Sequence, residues 1–258
     1  MKLYLKYISI HIKSQMQYKV SLIFMTLGQF LVSFTAFLGL LFIFINFREV
    51  NDFTFPQVLL CFSIVLLASS LAEAFGRGFD LFPNMIGNGE FDRMLVRPRW
   101  EVFLVVASKM EISRAGRLLQ AILVLIYALP RSGIEWTAGK IFTLFLMITC
   151  GGILFFLLFL LRAGISFFTI EGLEFTNIFV DGTREFGRYP FSVYGKEVLW
   201  FLTFIIPIAL IQYYPLLYLL DMEKGVAYML TPLISLLFIF PAYGFWRFGL
   251  RRYKSTGS

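Results

Sequence analysis

Six continuous apolar runs leave this chain few ways to fold. They fall at roughly Val20–Phe47, Gln57–Phe75, Ile112–Leu129, Ile141–Leu161, Val198–Ile211 with some extension, and Tyr228–Trp246. A helix needs about 20 residues to cross the hydrocarbon of a bilayer. There every backbone donor and acceptor must be satisfied within the protein, so only helices or a closed barrel can span. The runs lack the period-two alternation of a barrel, which predicts helices. Composition agrees: 59% of the 258 residues are hydrophobic and 15% charged, against about 25% charged in soluble domains. The expectation is an all-α, polytopic membrane protein, one domain over residues 1–258, with six transmembrane helices. The first run is too long for the apolar core of a signal peptide and no small-residue cleavage site follows it, so it reads as a retained span.

Charge sets the orientation. With the N-terminus inside, the inner segments hold nineteen Lys and Arg, and the outer ones hold Arg48, Arg131, Lys140 and Lys224. The positive-inside rule then places both termini in the cytoplasm. In a soluble protein the net charge of +7 would suggest nucleic acid; here it orients the chain, and no nucleic-acid partner is expected. Trp100, Trp200 and Trp246 near inner span ends, and Trp136 just outside, read as an interfacial belt. Two cytoplasmic loops are sizeable, residues 76–111 and 162–197. Val102–Ala107 could begin the third span early, and the fourth could continue past Arg162 to Ile170. Lys254 to Ser258 read as a frayed tail.

Residues 1–19 have helical periodicity, with Lys2, Lys6, Ser9, Lys13 and Gln17 on one face and Leu5, Ile8 and Ile12 opposite. Such a helix suits the membrane interface, where it braces the first span, lines a lateral entrance or simply anchors the chain. His11, the one histidine, falls on the apolar side and reads as packing.

Much chemistry is missing. A single histidine excludes most His-based triads and multi-His metal sites, and Cys61 and Cys150 sit inside apolar runs without metal spacing. No Gly-x-Ser-x-Gly elbow or P-loop occurs. No catalytic residue, metal or bound cofactor is therefore expected. Asp181-Gly182-Thr183-Arg184 has only part of the opening motif of phospholipid-headgroup transferases, so a membrane-embedded lipid-modifying enzyme is one alternative. An ATPase-independent carrier is another, although the deep spans hold almost no ionisable residue.

One segment stands out against this oil: Gly89-Glu90-Phe91-Asp92-Arg93-Met94-Leu95-Val96-Arg97-Pro98, in the first inner loop. Asn88 suits an N-cap, and Glu90 the positive end of a helix. Phe91, Met94 and Leu95 form a short apolar edge, and Pro98 ends the turn. The shape predicts an exposed plug with an aromatic anchor, fit for a groove on a soluble partner or for the protein's own cytoplasmic end. Further on, Glu171 and Glu174 share a helical face, where they could meet substrate or pair with Arg162. Pro207, Pro232 and Pro241 interrupt the last two runs and can bend them.

The decapeptide resembles the Gly-x-Leu/Phe-Glu/Asp-x-Leu-Leu-Val-x-Pro signature of type-2 ABC exporter permeases, at Gly89, Phe91, Asp92, Leu95, Val96 and Pro98, with Met94 in place of a Leu. Ile170–Glu174, Arg184–Pro190 and Tyr213-Tyr214-Pro215 are similar to the short-loop, six-span branch of that family. The resemblance implies the membrane subunit of an ATP-driven export system, multi-pass in the inner membrane of a prokaryote. It implies coupling to a separate ABC ATPase, which uses Mg-ATP, through Gly89, Glu90, Phe91, Asp92, Leu95, Val96 and Pro98. It also implies a second permease, identical or homologous. Arg184, Glu185, Arg188 and Pro190 are candidates for a second ATPase contact, and Glu171 and Glu174 for the substrate path.

Overall fold

The structure is a computed structural model, described here for residues 2–47, 49–50, 53–169 and 177–255. It is helical apart from a two-stranded ladder, Glu49–Val50 (β1) with Phe53–Thr54 (β2), at the turn after the first span. Five helical stretches are long and apolar enough to cross a membrane: Lys19–Asn46, Phe55–Gly87, Ile112–Arg131, Ala138–Ile165 and Val226–Arg252. In chain order the helices are α1 (Lys2–Met16), α2 (Lys19–Asn46), α3 (Phe55–Asp80), α4 (Phe82–Gly87), α5 (Glu90–Leu95), α6 (Glu101–Ser108) and α7 (Ala115–Ala128). There follow α8 (Ala138–Ile165), α9 (Thr183–Phe186), α10 (Lys196–Phe204), α11 (Ala209–Leu219), α12 (Val226–Ser235) and α13 (Ile239–Arg252).

The predicted fifth span is not straight. It breaks into α10 and α11, bent 115° apart. Pro207 lies in the break; it has no N–H to give a preceding turn and its ring clashes there. Pro232 is absorbed inside α12, whereas the 3₁₀ turn Leu236–Phe238 precedes Pro241 and joins α12 to α13. Val102–Ala107 belongs to the separate helix α6, and α8 continues past Arg162 to Ile165, while Ile170 lies outside the described residues.

α3 is the axis of the bundle. Every residue from Val58 to Ser70 is buried, because α7, α8 and the chain after α8 surround it. Small residues set the distances: a Cβ added to Gly151 of α8 would lie 2.9 Å from the Ala68 Cβ. Without a hydrophobic drive between helices in lipid, such close approach favours association. Two buried clusters stack along α3. One, at the charged end, gathers Phe79, Phe82, Phe91, Phe155 and Trp246. The other, at the remote end, gathers Leu59, Phe62, Ala121, Met147 and Leu216.

Of the cytoplasmic loop expected over residues 162–197, the described residues 177–190 lie against the bundle. Arg184 reaches Glu73 of α3, Gly187 lies against Val65, and the Arg188 guanidinium stands 6.0 Å from the Phe62 ring centre. Residues 177–190 therefore climb α3 from its charged end past its middle. α11 continues toward the remote end beside α8, with Ile211 at Gly151 and Tyr218 at Gly139. There the Lys140 Nζ meets Asp221 at 2.6 Å. Charge alone suggested a loop; the carboxylate of Glu73 supplies the partner that draws Arg184 in. Glu171 and Glu174 lie outside the described residues.

α1 is stapled to the connection before α7. His11 Nε2 lies 3.0 Å from the Ala107 carbonyl, while Gln15 donates to the Met110 carbonyl at 2.6 Å and accepts from the Ile112 amide at 2.9 Å. α6 itself rests on Gly78 of α3, where an added Cβ would overlap the Val105 carbonyl. Gly78→Val should lower the unfolding midpoint in detergent by more than ordinary overpacking, which costs about 1–3 kcal/mol. Gly28→Val, with nothing within 4 Å, should leave that midpoint unchanged.

Candidate functional site

The segment Gly89–Pro98 forms by two abrupt turns. Leu81 ends α3, and Pro83 sits in the first turn of α4, where its missing N–H costs nothing. Asn88 closes α4 instead of capping the next helix as expected. The N-cap of α5 is Gly89, at φ 65°. That left-handed conformation strains most L side chains and suits glycine, so a glycine stands where the chain turns into α5. Glu90 and Asp92 occupy the first turn of α5, near its positive end.

Phe91 points into the protein. It is fully buried, with ring centres 4.7 Å from Phe82, 5.7 Å from Phe167, 6.3 Å from Trp246 and 5.4 Å from Tyr253. Trp246 in turn meets Phe79, Phe82 and Phe167 at 5.2, 4.9 and 5.1 Å. The expected interfacial place of Trp246 is thus corrected: its ring is buried, because four other aromatics offer edges and faces at favourable distances. Trp100 and Trp200 do remain exposed.

Asp92 is also engaged within the chain. It accepts from the Tyr253 hydroxyl at 2.9 Å and from the Ser255 hydroxyl at 2.7 Å. Burial, then the hydrogen bond and charge of Asp92, push the Tyr253 phenol up to about 12, so it stays a donor through the physiological range. Ser255, read from sequence as part of a frayed tail, is held by this carboxylate together with Tyr253. A further ion pair, Arg247 to Glu101 at 3.2 Å, ties α13 to α6.

The expected coupling residues therefore divide. Gly89 and Phe91 are buried, Glu90 and Asp92 are half-buried, and Leu95, Val96 and Pro98 are exposed, Val96 most of all at 83%. Arg93, Arg97 and Arg99 surround them. The outward surface is a small apolar knob in a basic setting.

A chain of charges lies beside it. Glu73, nearly buried, contacts Arg114 at 3.3 Å, Arg117 at 3.0 Å and Arg184 at 2.5 Å. Arg114 also meets Glu111 at 3.1 Å, Glu111 meets Arg77 at 3.0 Å, and Asp80 pairs with both Arg77 and Arg162. Arg162 is thus held by Asp80. The network joins α3, the starts and ends of two other spans and the climbing segment. Of the candidates for a second contact, Arg184 is in this network and Pro190 is buried. Glu185 pairs with Arg188 and keeps 55% of its side chain open, and Asp181, 60% open, meets Arg184 at 3.4 Å. Arg77–Asp80, Glu111–Arg114, Asp181–Arg184 and Glu185–Arg188 have the i, i+3 spacing of helical neighbours, but the long-range pairs have no such signal: Glu73 and Arg184 are 111 residues apart.

Crossing helices, a buried axis and one charged end define a multi-pass helical membrane protein that presents a short helix beyond its spans. A family model described as ABC-2 family transporter protein matches residues 30–257, and the chain belongs to that family. No curated protein and no solved structure matches it.

The Glu73 network yields a test. Removing one partner of a buried ion pair leaves uncompensated charge and costs about 3–5 kcal/mol. Glu73→Gln should accordingly lower the unfolding midpoint in detergent sharply. Glu185→Gln, at a mostly exposed pair worth about 0–1 kcal/mol, should leave it nearly unchanged.

Proposed function

We propose that this transporter-family chain is the membrane subunit of an ATP-driven export system and that its charged end faces the cytoplasm of a prokaryotic cell. A separate ABC ATPase binds and hydrolyses Mg-ATP and docks on α5 and the turn after it. The observation that carries this reading is the division of α5 into two sides. Phe91 is locked among rings from α4, from just past α8 and from α13, while Leu95, Val96 and Pro98 stand exposed. A force applied to the free side reaches the last span through Phe91–Trp246, Asp92–Tyr253 and Glu101–Arg247. Docking then falls on Leu95, Val96 and Pro98, with Gly89, Phe91 and Asp92 setting the pose. Glu90, half-buried at the helix start, can take part in either.

A second permease, identical or homologous, completes the system. The open carboxylates of Asp181 and Glu185 support this. They belong to the segment that climbs α3 between Glu73 and Phe62, where a charge facing lipid is costly. A matching face across a water-filled path relieves that cost. On this reading Arg184, Glu185 and Arg188 serve the path more than the ATPase, and Pro190 packs the segment in place. Glu171 and Glu174, shortly before it in sequence, are proposed for the entrance of the same path.

Co-purification from the native membrane tests the docking. The wild-type chain should bring down an ATPase subunit carrying a P-loop. Leu95→Asp with Val96→Asp should reduce that capture at least tenfold while the unfolding midpoint stays that of wild type. Undiminished capture by this variant would refute the assignment.

A further inference from the structure

α2 and α7 touch at Gly116, where an added Cβ would overlap the Thr26 carbonyl. Beyond that contact, toward the remote end, they leave a cavity of about 220 Å³ between them. Phe30, Phe34 and Phe37 line it from α2, and Gln120, Leu123 and Tyr127 from α7. Leu123 and Tyr127 are exposed, so the cavity opens sideways on the bilayer. Gln120 is the exception among these walls: it is 2% exposed and carries a primary amide in an apolar and aromatic setting.

That amide is only half satisfied. Its oxygen meets the Ser33 hydroxyl, and its nitrogen is buried without a partner among the described residues. Ser33 cannot serve it fully, because a hydroxyl has one proton to give, and the Gln29 and Phe30 carbonyls compete for it at 3.1 and 3.2 Å. Whichever end of the amide Ser33 takes, the other is left over. A buried polar group without its hydrogen bond is costly, and a polar side chain inside the membrane marks a functional site. Its depth follows from its place in the third span. Gln120 is eight residues from Ile112 and eleven from Arg131, the ends of that span, or about 12 and 17 Å along the helix. The amide therefore lies near the bilayer midplane.

Depth and chemistry narrow the occupant. A buried water needs about two to four polar partners. Besides Gln120, only Tyr127 of the lining carries a polar side-chain atom, and it is seven residues on, about 10 Å along α7. A phospholipid keeps its ester oxygens at the edge of the hydrocarbon, about 15 Å from the midplane, and its acyl chains offer an amide nothing. No charged side chain lines the cavity, so an ion finds no counter-charge. A hydroxyl on an apolar body meets every condition, since it both donates and accepts and so pairs with either end of the amide. The cavity is smaller than the roughly 300–1,000 Å³ of sites for drug-sized ligands, so that body is short.

We propose that this cavity binds a small, uncharged alcohol dissolved in the membrane, with its hydroxyl on the Gln120 amide and its apolar body along Phe30, Phe34 and Phe37. Those rings form a continuous wall, with centres 6.1 and 5.6 Å apart and planes tilted by 12° and 23°. The proposal depends on the packing of α2 on α7 and is independent of the cargo and of the ATPase.

The test uses the full-length protein in phosphatidylcholine vesicles and octanol carrying a diazirine on its third carbon. After photolysis, labelled peptides are mapped by mass spectrometry. Saturable labelling is expected on residues 30–37 and 120–127, reduced at least fivefold by excess plain octanol and little changed by the same excess of octane. Gln120→Leu, which keeps the bulk and removes the amide, should cut the labelling at least fivefold at an unfolding midpoint like that of wild type. Leu123→Trp at the mouth serves if that variant does not fold. Labelling of the exposed Ile23–Phe24 face of α2 should be weak, unsaturated and equal in all proteins. Octane competing as well as octanol would overturn the proposal, because the cavity would then take any apolar molecule. So would labelling unchanged by both substitutions. Labelling seen only in vesicles diluted to one chain each would also overturn it, since a side chain of a second copy would then fill the cavity.

Discussion

Five aromatic side chains from five stretches of the chain cluster with Trp246 at the charged end of the bundle. Phe79 comes from α3, Phe82 from α4, Phe91 from α5, Phe167 from just past α8, and Tyr253 from just past α13. Edge-to-face pairs at these distances contribute about 0.5–1.5 kcal/mol each beyond their buried area. The arrangement matters more than the sum. No two of the elements can shift apart without opening a void among close-packed rings, which interiors resist. α5 is only six residues long and could not hold a direction alone, since short helices are marginal. Its orientation is lent by the spans it touches.

The charge network performs the complementary task. One nearly buried carboxylate, Glu73, gathers arginines from the start of the α7 span and from the climbing segment. Burial makes each partner dependent on the others, because a guanidinium left alone there is costly. The chain after α8 consequently runs in pieces: the segment held by Glu73 and Val65 lies along α3, and α10 and α11 follow, bent 115° apart. That broken course leaves the carboxylates of Asp181 and Glu185 open.

How much of this could be read from the sequence follows from the range of each interaction. The straight spans were legible because the bilayer imposes length and hydrophobicity on every residue in them. Pro207 was legible as a bend, since the loss of a donor is local, but where the chain goes after the bend depends on what it packs against. The edge of Phe91, Met94 and Leu95 was legible from spacing. Spacing says which residues share a face and not what the face meets, so it left open whether Phe91 enters a partner's groove or packs on its own protein, and the ring is buried in its own protein. Trp246 failed for a similar reason: a tryptophan near a span end suits an interface, and only the four rings around it decide otherwise. Arg184 looked like a loop charge because its partner lies 111 residues away. Asp92 likewise gave no hint that Tyr253 and Ser255 would close on it.

In the proposed coupling, α5 passes force to the spans through Phe91. The most direct measurement compares cargo exported per ATP hydrolysed in vesicles holding wild-type or Phe91→Ala protein together with the ATPase. Truncating a buried Phe costs about 3–5 kcal/mol, so protein that remains folded is compared at equal ATPase occupancy. The account requires that the variant still bind the ATPase through Leu95 and Val96, keep most of its ATP hydrolysis, and export at least fivefold less per ATP. An unchanged ratio in a correctly folded variant would contradict it.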